Sequence, residues 1–155
     1  MLMQGKVAEN KEEARKMLEE VVTSGKAFET FKDMVKAQGG NVDMIENPEL
    51  LPQSKFKTEI KSEESGNVKV LHSERLGVLA MQLGAGRETK EQDVNHAVGL
   101  ELACKRGDKV NKGDTICIVY HDEELKPQWV DELYHAFELT NEEVAPQPII
   151  EKVLS

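Results

Sequence analysis

Gly107-Asp108-Lys109-Val110-Asn111-Lys112-Gly113-Asp114 reads as a glycine-punctuated turn between two strands. Each glycine can take a positive φ that a side chain resists, and the aspartate after each can bond the turn backbone. Val110 is the one apolar residue within the turn, free to point back into a core. Upstream, Val98, Leu100 and Leu102 alternate with Gly99, Glu101 and Ala103, the period of a half-buried strand. Downstream, Thr115 to Tyr120 is a run of β-branched and aromatic residues, as expected of a strand buried on both faces. Cys104 and Cys117 stand symmetrically about the turn, so antiparallel pairing is expected to set them opposite each other.

The same period of two appears earlier. Phe56, Thr58 and Ile60 alternate with Lys57, Glu59 and Lys61, and Ser65-Gly66 then makes a turn. Val68, Val70 and His72 predict a second strand. Leu76 to Leu83 predicts a short helix closed by Gly84-Ala85-Gly86, followed by a charged loop from Arg87 to Asp93. Pro127 opens a last helix with Val130, Leu133, Tyr134 and Phe137 on one stripe. Beyond Thr140, Pro146 and Pro148 predict an extended tail, ending in a short apolar stretch from Ile149 to Leu154.

Before residue 46 the period is helical. Asn10 is placed to cap a helix over 10–24, with Glu13 at the spacing of a capping box and Ala14, Met17, Leu18, Val21 and Val22 on one face. Gly25 ends it, and a second helix from Ala27 to Gln38 carries Phe28, Phe31, Met34 and Val35. The greasy faces of this hairpin need something to pack on. Met1-Leu2-Met3 running into Gln4-Gly5 has the texture of an apolar helix end, as a cut through a larger protein would give. Asn47-Pro48 and Leu51-Pro52 punctuate a segment without a period, read as a linker over 46–55. The expected division is a helical segment over 1–45, that linker, and a β-rich domain over 56–155. The fold class expected is α+β.

Composition sets the limits on function. A chain of 155 residues with 39% apolar and 32% charged side chains is globular in character. The apolar run around Ile116 to Tyr120 is too short to span a bilayer, and no basic, then apolar leader is present. Twenty basic against 29 acidic residues, a net charge of −9, argues against a nucleic-acid partner. Much of that excess falls after residue 120, where 9 acidic residues meet 2 basic ones, while residues 56–120 hold 10 of each. The ordinary reading is a solvated helix face and tail; the sharper one is an acidic partner-binding surface. Cys104 and Cys117 have no metal spacing and read as buried thiols in a reducing cytoplasm. His72, His96, His121 and His135 are too scattered to predict a metal site, so metal is not expected. Asp122-Glu123-Glu124 reads as a solvated turn.

One segment carries more chemistry. Gly84-Ala85-Gly86 frees backbone amides beside Arg87 and Lys90, a combination able to cradle an anion. It is no Walker loop or dinucleotide fingerprint, because the helix precedes the glycines. A helix cap leading into a mobile loop is the preferred reading.

Taken together, these motifs resemble a known family. Residues 25–40, Gly-Lys-Ala-Phe-Glu-Thr-Phe-Lys-Asp-Met-Val-Lys-Ala-Gln-Gly-Gly, are similar to the helix before the C-terminal domain of pyrimidine-nucleoside and thymidine phosphorylases. So are Leu51-Pro52, Leu83-Gly84-Ala85-Gly86-Arg87 with Lys90-Glu91, Ala97-Val98-Gly99, and Gly107-Asp108-Lys109-Val110 with Gly113. The order holds across roughly residues 5 to 155. The family pattern usually has Ile-Asp where this chain reads Val94-Asn95.

The resemblance implies a cytoplasmic homodimeric enzyme of more than about 400 residues. Such an enzyme splits a pyrimidine nucleoside with phosphate as co-substrate, giving the base and a pentose 1-phosphate. It implies an α/β-hammerhead or barrel-sandwich-like C-terminal domain over 56–155, with residues 1–45 belonging to the central α/β domain. The family's phosphate-binding and pyrimidine-binding residues lie in its N-terminal half, and no position here matches them. The expectation is therefore a C-terminal portion, inactive alone, that needs no cofactor of its own and partners with the remainder of its enzyme. Gly84, Gly86, Arg87, Lys90 and Glu91 resemble the loop that orders as the family's cleft closes, which implies a gating role. Two alternatives remain open at this point: a lipoyl- or biotinyl-like carrier domain, and a free-standing interaction module. Lys90, between Thr89 and Glu91, lacks the small or Met neighbours of a carrier lysine.

Overall fold

The structure, a computed structural model, describes residues 1–145, 148–150 and 152. It divides into two compact units, Met1–Leu51 and Pro52–Ser155. The first holds α1 (Lys11–Thr23), α2 (Lys26–Ala37) and α3 (Asp43–Glu46). Asn10 Oδ1 accepts the Glu13 N–H at 2.9 Å, and Glu13 Oε2 accepts the Glu9 N–H at 2.8 Å. Asn10 thus satisfies an amide that the helix start leaves open, while Glu13 reaches back one residue beyond the cap to Glu9. Gly25, at φ 78°, takes the left-handed turn between α1 and α2.

Two short elements lie at the end of the helical segment and the start of the 46–55 stretch read as a linker. Asn41 Oδ1 accepts the Asp43 N–H at 2.9 Å and starts α3, while Pro48 begins a 3₁₀ turn, Pro48–Leu50. Lys32 pairs with Glu29 within α2 at 2.8 Å and ties α2 to α3 through Glu46 at 2.9 Å. Neither α1 nor α2 contains a buried residue, and Leu18, Val22, Phe28, Phe31 and Met34 are exposed.

The second unit is α+β. It contains β1 (Phe56–Lys61), β2 (Gly66–Leu71), α4 (Ser73–Ala80), β3 (Gly99–Leu102), β4 (Lys109–Val110), β5 (Thr115–His121), α5 (Pro127–His135) and β6 (Phe137–Thr140). The strands form two three-stranded antiparallel sheets, ordered β1-β5-β3 and β4-β2-β6. Consecutive strands β1 and β2 therefore lie in different sheets, and the residues between them turn a corner rather than close a hairpin. Buried Ser62 fixes that corner: its N–H donates to the Asp114 carbonyl, and its carbonyl accepts the Gly113 N–H, both at 2.8 Å. One core joins the two sheets to both helices, with Val68, Cys117, Val119 and Leu133 fully enclosed.

The segment from Gly107 to Asp114 is built as two copies of one turn. The Asp108 N–H donates to the Lys105 carbonyl, and the Asp114 N–H to the Asn111 carbonyl, both at 3.0 Å. In return Asp108 Oδ2 accepts the Lys105 N–H and Asp114 Oδ2 the Asn111 N–H, both at 2.8 Å. Gly107 and Gly113 occupy equivalent positions at φ 95° and 91°, the left-handed geometry that turns with glycine third require. Val110, between the two turns, is buried and pairs with Gly66 on β2.

Four expectations are corrected here. The detour of β4 into the second sheet makes the β3–β5 connection asymmetric, so Cys117 faces Leu102 and not Cys104. β2 ends at Leu71, because the His72 N–H donates instead to the Ala136 carbonyl and the chain enters α4. Phe137 belongs to β6, not α5, whose buried pair is Trp129 and Leu133. β5 is buried on both faces only at its start, Ile116 and Cys117; beyond it Val119 and His121 are buried while Ile118 and Tyr120 stay half-exposed. The apolar stretch expected over 149–154 falls largely outside the described residues.

Candidate functional site

α4 runs into a widened turn, Met81–Ala85, that Gly84 terminates at φ 105°. Gly86 follows in extended conformation for a different reason. A Cβ there would lie 3.1 Å from Met81 Cγ and 3.3 Å from its Cα, closer than such contacts normally run. These two glycines form the root of the charged loop. The loop returns at Asn95, whose N–H donates to the Gly84 carbonyl at 2.9 Å.

Asn95 also holds the loop to the end of β5. Its Nδ2 donates to Asp122 Oδ2 at 2.7 Å, and its Oδ1 accepts the Ala97 N–H at 3.0 Å. Asp122 Oδ1 accepts the Lys55 N–H at 2.7 Å. These donors, the Lys55 backbone first and the Asn95 amide second, hold the Asp122 carboxyl below its ordinary range. Asp122 is thus a fastened, half-buried group, correcting its reading as part of a solvated turn.

His121 supplies the floor beside it. The ring is buried, donates from Nδ1 to the Glu123 carbonyl at 2.6 Å, and holds Nε2 2.8 Å from the Thr58 hydroxyl. Phe56 stacks on it with ring centroids 5.4 Å apart. A cleft of about 370 Å³ lies over these groups, lined by Gln82, Gln92, Asp93, Asn95, Asp122 and Trp129 among others.

Of the residues singled out from sequence, Gly84 and Gly86 stand at the root of the loop. Arg87, Lys90 and Glu91 are exposed and enter none of the ion pairs among the described residues. Within the loop, the Glu88 N–H donates to Gln92 Oε1 at 2.9 Å. Nothing in the sequence pattern joins Asn95 to Asp122, since 27 residues separate them and only the return of β5 brings them together.

The remaining reactive side chains lie elsewhere. His72 pairs with Glu138 at 2.8 Å, and His135 Nδ1 donates to the Asp131 carbonyl at 2.7 Å. Among the described residues, no group of three His, Cys, Asp or Glu is placed to hold a metal. Cys104 and Cys117 are free and buried, and burial pushes the Cys117 thiol up to about 12 and the Cys104 thiol upward as well. They are thiols rather than thiolates, and so poor nucleophiles. What the arrangement can do is present Arg87 and Lys90 on a loop rooted at two points. No helix among the described residues is long and apolar enough to cross a membrane.

Comparison with known proteins then places the domain. Residues 67–140, from β2 to the last residue of β6, match the family described as pyrimidine nucleoside phosphorylase C-terminal domain. This part of the chain belongs to that family. The matched span contains both glycine turns and the loop from Gly84 to Asn95, and it favours neither the carrier nor the interaction-module alternative. A pyrimidine-nucleoside phosphorylase of Bacillus subtilis (strain 168) is 39% identical over 149 residues, 96% of this chain and 34% of that protein. One from Staphylococcus aureus (strain USA300) is 39% identical over 155 residues, 100% of this chain and 36% of its own length. The chain thus spans about a third of the curated relatives it matches.

Proposed function

We propose that the chain acts as the C-terminal part of a pyrimidine-nucleoside phosphorylase, an enzyme that uses phosphate to split a pyrimidine nucleoside into base and pentose 1-phosphate. The carrying observation is that similarity to the phosphorylases extends over 96–100% of the chain, through Met1–Leu51 as well as the C-terminal domain. On this reading residues 1–45 are helices of the enzyme's central α/β domain, which accounts for Phe28, Phe31 and Met34 standing exposed. Residues 46–55 link them to a hammerhead-type domain over 56–155, and the two small sheets sharing one core support that shape.

The chain's contribution is structural and gating, not chemical. No motif for holding phosphate or pyrimidine is present, so the isolated chain is inactive. The loop from Gly84 to Glu91 carries Arg87 and Lys90 toward the substrate cleft, where they bond across the closing domains. The whole enzyme is a cytoplasmic homodimer without a bound cofactor or metal. The test is complementation: the chain is mixed with the N-terminal two thirds of the Staphylococcus aureus relative and assayed for uridine phosphorolysis. Activity in the mixture, with none in either part alone, is expected. Activity in the chain alone, or a mixture that associates yet stays inactive, overturns the proposal.

A further inference from the structure

We propose that Asn95 and Asp122 form a latch that holds the Gly84–Asn95 loop shut, and that the latch works because it pairs one neutral amide with one carboxylate. Between its ends the loop has little of its own to hold it. Residues 87–91 are exposed, and the bonds within are those of Gln92 with Glu88 and, at 3.3 Å, with the Thr89 carbonyl. Its closure falls to Asn95, which donates to Gly84 and Asp122 and accepts from Ala97. Asn95 is therefore a positioning residue for everything the loop carries.

The polarity of the pair is set by its surroundings. The Asp122 carboxylate already takes the Lys55 N–H, and Asp93 and Glu123 line the same cleft with like charge. A fourth carboxylate, at position 95, would face Asp122 at hydrogen-bond distance with no proton between them, and the loop would open to separate them. The reversed pair has no such conflict. With Asp at 95 and Asn at 122, the residue-95 carboxylate still accepts the Ala97 N–H and also the residue-122 amide, whose oxygen still accepts the Lys55 N–H. Every bond of the present pair is satisfied in mirror form.

The latch is a property of this chain, while its effect on turnover rests on the phosphorylase reading. Amide hydrogen exchange of the 155-residue chain at neutral pH tests it without any catalysis, so failure of the two ideas registers separately. Asn95→Asp is expected to speed exchange of the residue-95 amide by about 10- to 100-fold, as the loss of a bond to a charged group implies. Adding Asp122→Asn is expected to bring it back within about threefold of the parent. Asn95→Leu, which removes the donor without adding charge, opens the loop too, and Asp122→Asn does not rescue it. Exchange at Val119 in the core reports whether any variant has unfolded. An Asn95→Asp loop that exchanges at the parent rate overturns the latch, as does a folded reversed pair that stays as fast as Asn95→Asp.

Discussion

Cys117 lies across from Leu102 in the β3–β5 pair, and Cys104, beyond the end of β3, turns its thiol to the Ile116 carbonyl at 3.9 Å. The two are neighbours in the core but not a cross-strand pair. Both thiols are buried and held protonated, Cys117 up to about 12. Alkylation at pH 8 is expected to run at least about tenfold slower than for an exposed thiol, and to become fast for both on unfolding. Because the folded pKa is raised, the thiols contribute stability in full below the unfolded value of about 8.5. That contribution fades as pH rises from there toward 12 for Cys117. Rapid labelling of the folded chain is the contrary result.

Two glycine replacements should have opposite signs. Gly113 sits at φ 91° with nothing within 4 Å of where a Cβ would be, so an alanine there meets backbone strain alone. Gly113→Ala is expected to destabilise the domain by about 1–2 kcal/mol. Gly77 lies in the exposed middle of α4, also with open space around it but with helical backbone. Gly77→Ala should stabilise by about 0.5–1 kcal/mol. Urea unfolding followed through the single tryptophan, buried Trp129, measures both.

Asp122 should make the loop sensitive to acid. The Lys55 N–H and the Asn95 amide lower its folded pKa, helped by the charges of Lys55 and His121, while Asp93 and Glu123 line the cleft with like charge. A depressed carboxyl contributes stability in full above its unfolded pKa of about 3.9, and loses it as pH falls through the lower folded value. Comparing the parent with Asp122→Asn from pH 7 down to 2.5, the gap in loop protection should be constant to about pH 4 and close below it. A gap that closes between pH 5 and 7 would point to a different group.

What the sequence makes legible follows from how local the interactions are. The twin Gly-Asp turns, the Asn10 cap and the Gly25 break are decided within four residues, and each stands where its residues put it. The sheet partners of β1 and β2 are decided by Ser62 meeting Gly113 and Asp114, about 50 residues away, and no period of two reveals that. β6 is hidden similarly, because Phe137 fits the helical stripe of α5 until the Ala136 carbonyl is taken by His72. For the candidate site, the glycines at the loop root and the exposed cations beyond them are legible as composition. The Asn95–Asp122 bond is not, since Asn95 sits in an irregular segment and Asp122 among acidic neighbours that look solvated.

Arg87 offers the sharpest separation of a gating loop from a structural one. Its side chain is exposed and in none of the ion pairs among the described residues, so the isolated chain has little to lose with it. Arg87→Ala should leave the chain's unfolding free energy within about 0.5 kcal/mol of the parent. In a full-length phosphorylase carrying this C-terminal part, a charge-assisted bond formed across the cleft only on closure is worth about 1.5–3 kcal/mol. The same substitution should then lower kcat by roughly 10- to 100-fold, and lower kcat/KM with it, because the bond is absent from the open enzyme. Arg87→Lys should recover part of the loss by keeping the charge while giving up the planar fork. Steady-state uridine phosphorolysis by the three proteins decides it: unchanged kcat in Arg87→Ala removes the gating role from this loop.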